Sequence, residues 1–287
     1  MDRLEAMSLL VEVAKAGSLS AAGRRLNMPL ATVSRKISDL EVHLGSRIFT
    51  RTTRRIDLTD AGRGYIAAAS RILEDVAEAE RTVAGEYSAP KGELVVTAPA
   101  VFGRMHVLPV ALEFLKSYPD VDLHLILTDS ALNLIDEHID MAVRIGPLPD
   151  SDLIAARIGT LRQVACASPE YLVRKGVPRI LSDLSAHDGI AFEGLNAPKG
   201  WTLKPRLTVN SAEAAVTAAM AGLGITRVLS YQMTEARRSG SLDIVMEAFE
   251  PQPWPVHLVH VRQGRVPLKV RAFSDWAAPR LRASLLT

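Results

Sequence analysis

Along the first ninety residues, apolar positions recur at intervals of three and four. Leu4, Met7, Leu10, Val11 and Ala14 describe an amphipathic helix that Gly17 ends. Ser18 is placed to cap a second short helix, LSAAGRRL, expected to bury Leu19, Ala22 and Leu26. Asn27-Met28-Pro29 makes a turn. A third helix then runs to about Leu44, with Gly45 as its stop and Val33, Ile37, Leu40 and Leu44 on one stripe. The period then shortens. RIFTR and RIDLT alternate apolar and polar residues around Thr52-Thr53-Arg54, which predicts a hairpin wing. Thr59 can cap a helix starting at Asp60, along which Tyr65, Ala69, Ile72, Val76, Ala79 and Val83 follow at alternating spacings of four and three. That is a heptad seam for pairing with a second copy, on a helix about 40 Å long. It ends before SAPKG, where Pro90 and Gly92 mark a domain boundary.

Beyond Gly92 the pattern alternates strand and helix, which argues an α/β domain. Strands are expected at Leu94–Thr97, Val121–Leu127, Met141–Ile145, Gln163–Ala167, Thr208–Val209 and Val256–Val261, and helices at Gly103–Ser117, Ser211–Ala221 and Leu268–Leu285. Ligands in open α/β sheets gather beyond the carboxyl ends of strands. That rule selects Ala98-Pro99-Ala100, Gly146-Pro147 and Asn210-Ser211 as a ligand site. In TAPAVFGRMH a strand gives way to a helix starting near Phe102 or Gly103, whose free N–H groups offer an anion seat. A carboxylate held there, with Asn210 or Ser211 donating, is the expected ligand. Ala98, Pro99 and Ala100 offer few polar groups, so a partly apolar molecule is expected rather than a sugar.

Charge changes the picture of the N-terminal segment. The whole chain of 287 residues carries a net charge of only +2. Yet residues 15–58 hold nine Lys/Arg against three acids, and residues 59–90 hold three basic residues against six acids. On the third helix, Ala31, Ser34, Arg35 and Ser38 lie opposite the apolar stripe, with Thr32 at the flank. Small and hydroxylated residues around one arginine admit close approach to a major groove, where a guanidinium spans guanine O6 and N7. Two helices joined by a tight turn, the second with that face, form a helix-turn-helix. Arg51, Arg54 and Arg55 on the wing suit phosphates or a minor groove. The positive charge is gathered where a double-stranded DNA would lie.

Other chemistry is thin. Cys166 is the one cysteine, in the apolar run QVACAS, and is expected to be a small core residue. A disulfide within the chain and a cysteine-rich zinc site are thereby excluded. The seven histidines show no metal-ligand spacing, and His257 and His260 should face opposite sides of a strand. GLGIT at Gly222 has too few glycines for a dinucleotide loop, so no cofactor is expected. Arg144 is expected to pair with Asp140 or Asp152. No nucleophile, base and orienter present themselves, which disfavours an enzyme using the cleft. A nonspecific architectural DNA-binding protein is the main alternative. Neither a membrane-spanning run nor a secretory leader is found, so a cytoplasmic protein without membrane contact is expected.

The stretches LLVEVAKAGSLSAAGRRL and ATVSRKISDLEVHLGSRIFTRTTRRIDLTDAG resemble LysR-type transcriptional regulators. The likeness continues through GELVVTAP, LPVALEFLKSYPDVDLHL, DMAVRIGPLPDSDL and VNSAEAAVTAAMAGLGIT. The resemblance implies an N-terminal all-α winged helix-turn-helix (1–59), a long dimerising linker helix (60–90) and a C-terminal α/β two-lobed effector domain like the periplasmic binding proteins (91–287). Its lobes would be 91–161 with 263–287, and 162–262. The stretch FEGLNAPKGWTLKPRLTV looks several residues shorter than is usual in that family. The implied partners are an operator of interrupted dyad symmetry, a small-molecule effector, further copies of the chain as a dimer or homotetramer, and RNA polymerase.

Overall fold

Three helices, α1 (Arg3–Ala16), α2 (Leu19–Arg25) and α3 (Leu30–Leu44), open the chain. They are seen in a computed structural model that describes residues 2–51, 56–83, 89–149, 153–261 and 266–285. Local chemistry sets their ends. The Asp2 carboxylate accepts from Leu4 N at 3.0 Å, and the Ser18 hydroxyl accepts from Ala21 N at 3.1 Å, each satisfying a free first-turn donor. Gly45 closes α3 at φ +63°, a conformation that costs a glycine nothing. A Cβ on Gly23 would lie 2.7 Å from the Met28 carbonyl oxygen, so the turn between α2 and α3 closes this tightly only on glycine.

Leu10, Val13, Ala22, Val33, Ile37 and Leu40 form the core of this unit, joined by Ile48 and Phe49. Two expectations are corrected. Leu4 is left 41% exposed and Leu26 40% exposed, while Ala6, Leu9 and Val13 are buried. Helix α1 touches α2, α3 and α4, so it is buried on more sides than one stripe, and Leu26 falls in the turn after α2.

Strands β1 (Phe49–Arg51) and β2 (Ile56–Leu58) pair antiparallel, with Phe49 opposite Leu58. The next helix, α4 (Asp60–Val83), starts on a Thr59 cap whose hydroxyl accepts from Gly62 N at 2.9 Å. Such a cap stabilises by about 1 kcal/mol. The expected seam splits in two. Tyr65 packs on the core of its own unit together with Ile66, and Ala69 is buried. Ile72 is 42% exposed, Val76 half-buried and Ala79 exposed, and the Val83 side chain lies outside the described residues.

The chain divides into two compact units, Met1–Gly92 and Glu93–Thr287. The second holds two five-stranded sheets. Strands β3 (Gly92–Ala98), β4 (Val121–Leu127), β5 (Met141–Ile145) and β6 (Leu153–Leu161) belong to the first sheet. Strands β7 (Gln163–Ala167), β8 (Asp188–Phe192), β9 (Lys204–Val209), β10 (Ile225–Leu229) and β11 (Asp243–Val245) form the second, in the order β11-β7-β10-β8-β9. The last strand, β12 (Trp254–Val261), returns to the first sheet, whose order is β4-β3-β5-β12-β6. This corrects the expected limits of the second lobe, 162–262. Val256 and Leu258 are buried where β12 pairs antiparallel with both β5 and β6, so the second lobe ends before Trp254. Alternation alone cannot say which sheet a strand joins.

Helices α5 (Ala100–Phe102) and α6 (Leu108–Ser117) are separated by a π-helical turn, Gly103–Val107, where a single helix was expected. A Cβ on Gly103 would sit 2.2 Å from Leu127 Cδ2, so this turn presses on β4. The remaining helices are α7 (Pro169–Lys175), α8 (Ala212–Met220), α9 (Thr234–Arg238) and α10 (Leu268–Ser284). One core runs through both lobes of this unit, from Phe114 and Phe273 to Val228 and Tyr231.

Candidate functional site

Helix α3 turns Val33, Ile37 and Leu40 inward and leaves the opposite side open. Ala31 and Arg35 are exposed there, and Thr32, Ser34 and Ser38 are partly so. Arg35 makes no hydrogen bond or ion pair with any described residue, whereas Lys36 is tied to Glu5, and Arg25 to Glu12 at 3.0 Å. Among the described residues of this face, the Arg35 guanidinium stands exposed between small side chains. Glu41, which sequence reading passed over, accepts from Ile48 N at 2.8 Å and Phe49 N at 3.1 Å. It fixes the start of the wing to α3; an acid within a basic segment was its only signal. The Arg51 side chain, with Arg54 and Arg55, lies outside the described residues.

In the second unit, a cavity of about 410 Å³ opens beyond the carboxyl ends of β3 and β5. Ala98, Pro99 and Pro147 border it, as the strand-end rule expected. The other expected effector residues lie elsewhere. Phe102 is buried, edge-on to the Tyr231 ring at 5.5 Å between centroids and 4.7 Å from the His106 ring. Gly146 lies under the Trp254 ring, and Ser211 caps α8 by accepting from Ala214 N. Ala100 and the exposed Asn210 do not border the cavity. The anion seat at the start of α5 is taken by the chain itself, because Ala100 N donates to Asp129 Oδ1 at 3.0 Å. Tyr231 closes the neighbouring space: burial pushes its phenol pKa well up, and Gln232 Nε2 donates to its oxygen at 3.3 Å.

What the cavity presents instead is Arg144, with Thr97, Thr128, Asp129 and Ser130. Of the two expected ion pairs of Arg144, the one with Asp140 is corrected. Arg144 Nη2 donates to the Leu132 carbonyl, and no described carboxylate lies within ion-pair distance of it. Asp140 accepts from Val95 N at 2.8 Å and lies 3.9 Å from Lys269 Nζ, while Asp152 is outside the described residues. Half-burial lowers the pKa of Arg144, yet a guanidinium stays protonated. Thr128-Asp129-Ser130 was missed, although three polar residues directly after the strand Val121–Leu127 satisfy the same strand-end rule.

Residues 4–63 match the bacterial regulatory helix-turn-helix protein model of the lysR family, and residues 88–282 match the LysR substrate binding domain. The chain belongs to the LysR family. It is 32% identical to the uncharacterized HTH-type transcriptional regulator YhjC of Escherichia coli K12, over 97% of each chain. It is 31% identical to the HTH-type transcriptional activator AaeR of the same organism, over 94% of this chain and 91% of that one. Among solved structures, CrgA, a LysR-type transcriptional regulator from Neisseria meningitidis, is 29% identical and covers 96% of this chain and 98% of its own, with a TM-score of 0.61. The protein is thus a LysR-type DNA-binding transcriptional regulator with an effector-binding domain, and the helix-turn-helix and the two-sheet unit are the two halves of that activity.

Within this LysR regulator, Cys166 is fully buried in β7, and desolvation pushes its thiol up to about 12. Such a thiol is inert to oxidants that require the thiolate. Among the described residues, no group of three or more His, Cys, Asp and Glu could hold a metal ion, and no helix is long and apolar enough to cross a membrane.

Proposed function

We propose that this regulator responds to a small, partly apolar carboxylate bound in the 410 Å³ cavity, with Arg144 as its anion partner. One observation carries the reading: a half-buried guanidinium borders the cavity without a described carboxylate to neutralise it. Asp129 already fills the start of α5, so the ligand's carboxylate belongs on Arg144 rather than on that helix end. Residues 1–59 read DNA, the helix within 60–90 pairs two copies, and 91–287 senses the ligand, its lobes being 91–161 with 254–287, and 162–253. The working form is a dimer of dimers on an operator of interrupted dyad symmetry, in the cytoplasm, in reach of RNA polymerase. Ligand binding changes how the paired helix-turn-helix units are arranged, through a coupling free energy between the two sites. The domain performs no catalysis of its own.

Footprinting the intergenic region beside the gene, with and without a panel of carboxylates, tests the reading. One carboxylate should alter the footprint. Arg144→Gln should weaken its binding by about 1.5–3 kcal/mol and leave ligand-free operator affinity unchanged. A full response from the Arg144→Gln protein would place the sensor elsewhere. Equal affinity for the promoter and for random DNA across several salt concentrations would make the protein an architectural one instead.

A further inference from the structure

Arg227 lies in the middle of β10, only 8% exposed, between the fully buried Thr226 and Val228. Its Nη1 donates to the Asn196 carbonyl at 2.9 Å and its Nη2 to Gln163 Oε1 at 3.0 Å, and its guanidinium carbon is 5.3 Å from the centre of the Trp201 ring. All of these partners are neutral. No described carboxylate lies within ion-pair distance, whereas Lys269, the other buried Lys or Arg among the described residues, has Asp140 at 3.9 Å. A guanidinium offers five N–H donors, and a buried charge without a counter-ion is costly. Trp201 returns only part of that cost.

Beside Arg227 lies a cavity of about 150 Å³, walled by Ile190, Phe192, Leu195, Trp201 and Leu203. Arg227 and Trp201 alone among the lining residues have polar side-chain atoms. Much of the wall comes from FEGLNAPKGWTLKPRLTV, the stretch noted above for its short length.

We propose that this cavity is a second ligand site, in the second lobe and apart from Arg144, for a small apolar monocarboxylate. The carboxylate meets the Arg227 guanidinium, and the hydrocarbon body lies against Phe192 and Trp201. A dry apolar cavity of about 150 Å³ holds a benzene ring, which sets the size. The walls reject sugars, which need several hydrogen bonds, and dicarboxylates, whose second charge would face hydrocarbon. The site is also wired to the hinge. Gln163, which holds Arg227, opens β7 and donates through Nε2 to the Gln252 carbonyl at 3.4 Å, just before β12. Those two points stand on the two connections between the lobes, so an anion that draws on Arg227 acts on the hinge.

The test is calorimetric titration of the full chain with benzoate, its neutral isostere benzamide, and isovalerate. Benzoate should bind more tightly than benzamide. Ala191→Leu should fill the cavity and weaken benzoate by about tenfold or more while leaving Arg227 in place. Arg227→Gln should do the same by removing the charge, and should erase the preference for benzoate over benzamide. Arg144→Gln should leave this binding untouched, which separates it from the proposed site of the first lobe. If Arg227→Gln fails to fold, the Ala191→Leu protein still decides. Parent-like binding in the Ala191→Leu protein, binding lost with Arg144→Gln instead, or no binding of either carboxylate overturns the proposal.

Discussion

Arg35 and Arg227 carry the same charge in opposite settings. Arg35 stands in water on α3 with no described partner, while Arg227 is buried in β10 on neutral partners and an indole ring. An exposed cation keeps its hydration until a polyanion displaces it, so it serves a large partner through a contact that salt weakens. A desolvated cation has already lost its water. It rewards a small anion that fits the cavity beside it, and the cavity walls decide which anion that is. One unit of the molecule therefore works by what it displays and the other by what it encloses.

The largest effect is expected where display ends in burial, along α4. Ile72 is exposed and Val76 only half-buried in the single chain, so Ile72→Glu with Val76→Glu should leave the fold of the unit intact but force unpaired charge into any helix pair. Sedimentation should then show smaller species, and operator affinity should fall because half-sites are no longer held together. An unchanged oligomer would mean that α4 is not the contact.

Next in size is base reading. Arg35→Ala should lose about 1–3 kcal/mol of preference for the operator over random DNA. Arg54→Ala or Arg55→Ala should weaken both DNAs alike and lower the salt slope by about 1 each. Competition binding at several salt concentrations separates the two classes. If the specific-to-random ratio of the Arg35→Ala protein equals that of the parent, α3 does not read bases through that residue.

A smaller effect belongs to the enclosed unit alone. Burial lowers the pKa of His106, His187 and His257, with Lys175 adding to it at His187 and Arg157 at His257. His106 Nε2 and His257 Nδ1 are buried without a hydrogen-bond partner, so neither ring has a ready site for a second proton's charge. Unfolded histidine takes up its proton near pH 6.5 and these rings do so only at lower pH, so the unfolded chain binds more protons in that window. Stability is complete above about pH 6.5 and falls as the pH drops below it. The melting temperature of the full chain should decrease from pH 7.5 to pH 5.5, and His106→Gln should flatten that decrease. A midpoint independent of pH in that range would show that these rings accept their protons in place.

The helix-turn-helix was legible because its parts are local. Ser18, Gly45 and Thr59 act on neighbours within a few residues, and the Val33–Ile37–Leu40 stripe follows from the period of a single helix. Leu4 and Leu26 were misplaced for the complementary reason, since their exposure depends on where other helices lie. In the effector unit the strand-end rule selected Ala98, Pro99 and Pro147, which border the cavity, but also Gly146, which lies against the Trp254 ring, and Ser211, which caps α8.

By itself the sequence determined the family, the recognition helix with Arg35 outward, the cap that starts α4 and the alternation that makes the second unit α/β. Each of these rests on interactions between residues close in the chain, or on a period that repeats within one element. Only the tertiary structure decided that β12 returns to the first sheet, that Asp129 occupies the start of α5, and that Arg144 and Arg227 each border a cavity with no described carboxylate within ion-pair distance of them. The hydrogen-bond partner of a polar group comes from segments tens of residues away, such as Asp129 for the Ala100 N–H and Gln163 for Arg227. No local pattern encodes that distance, because burial is a property of the packed chain and not of the residue.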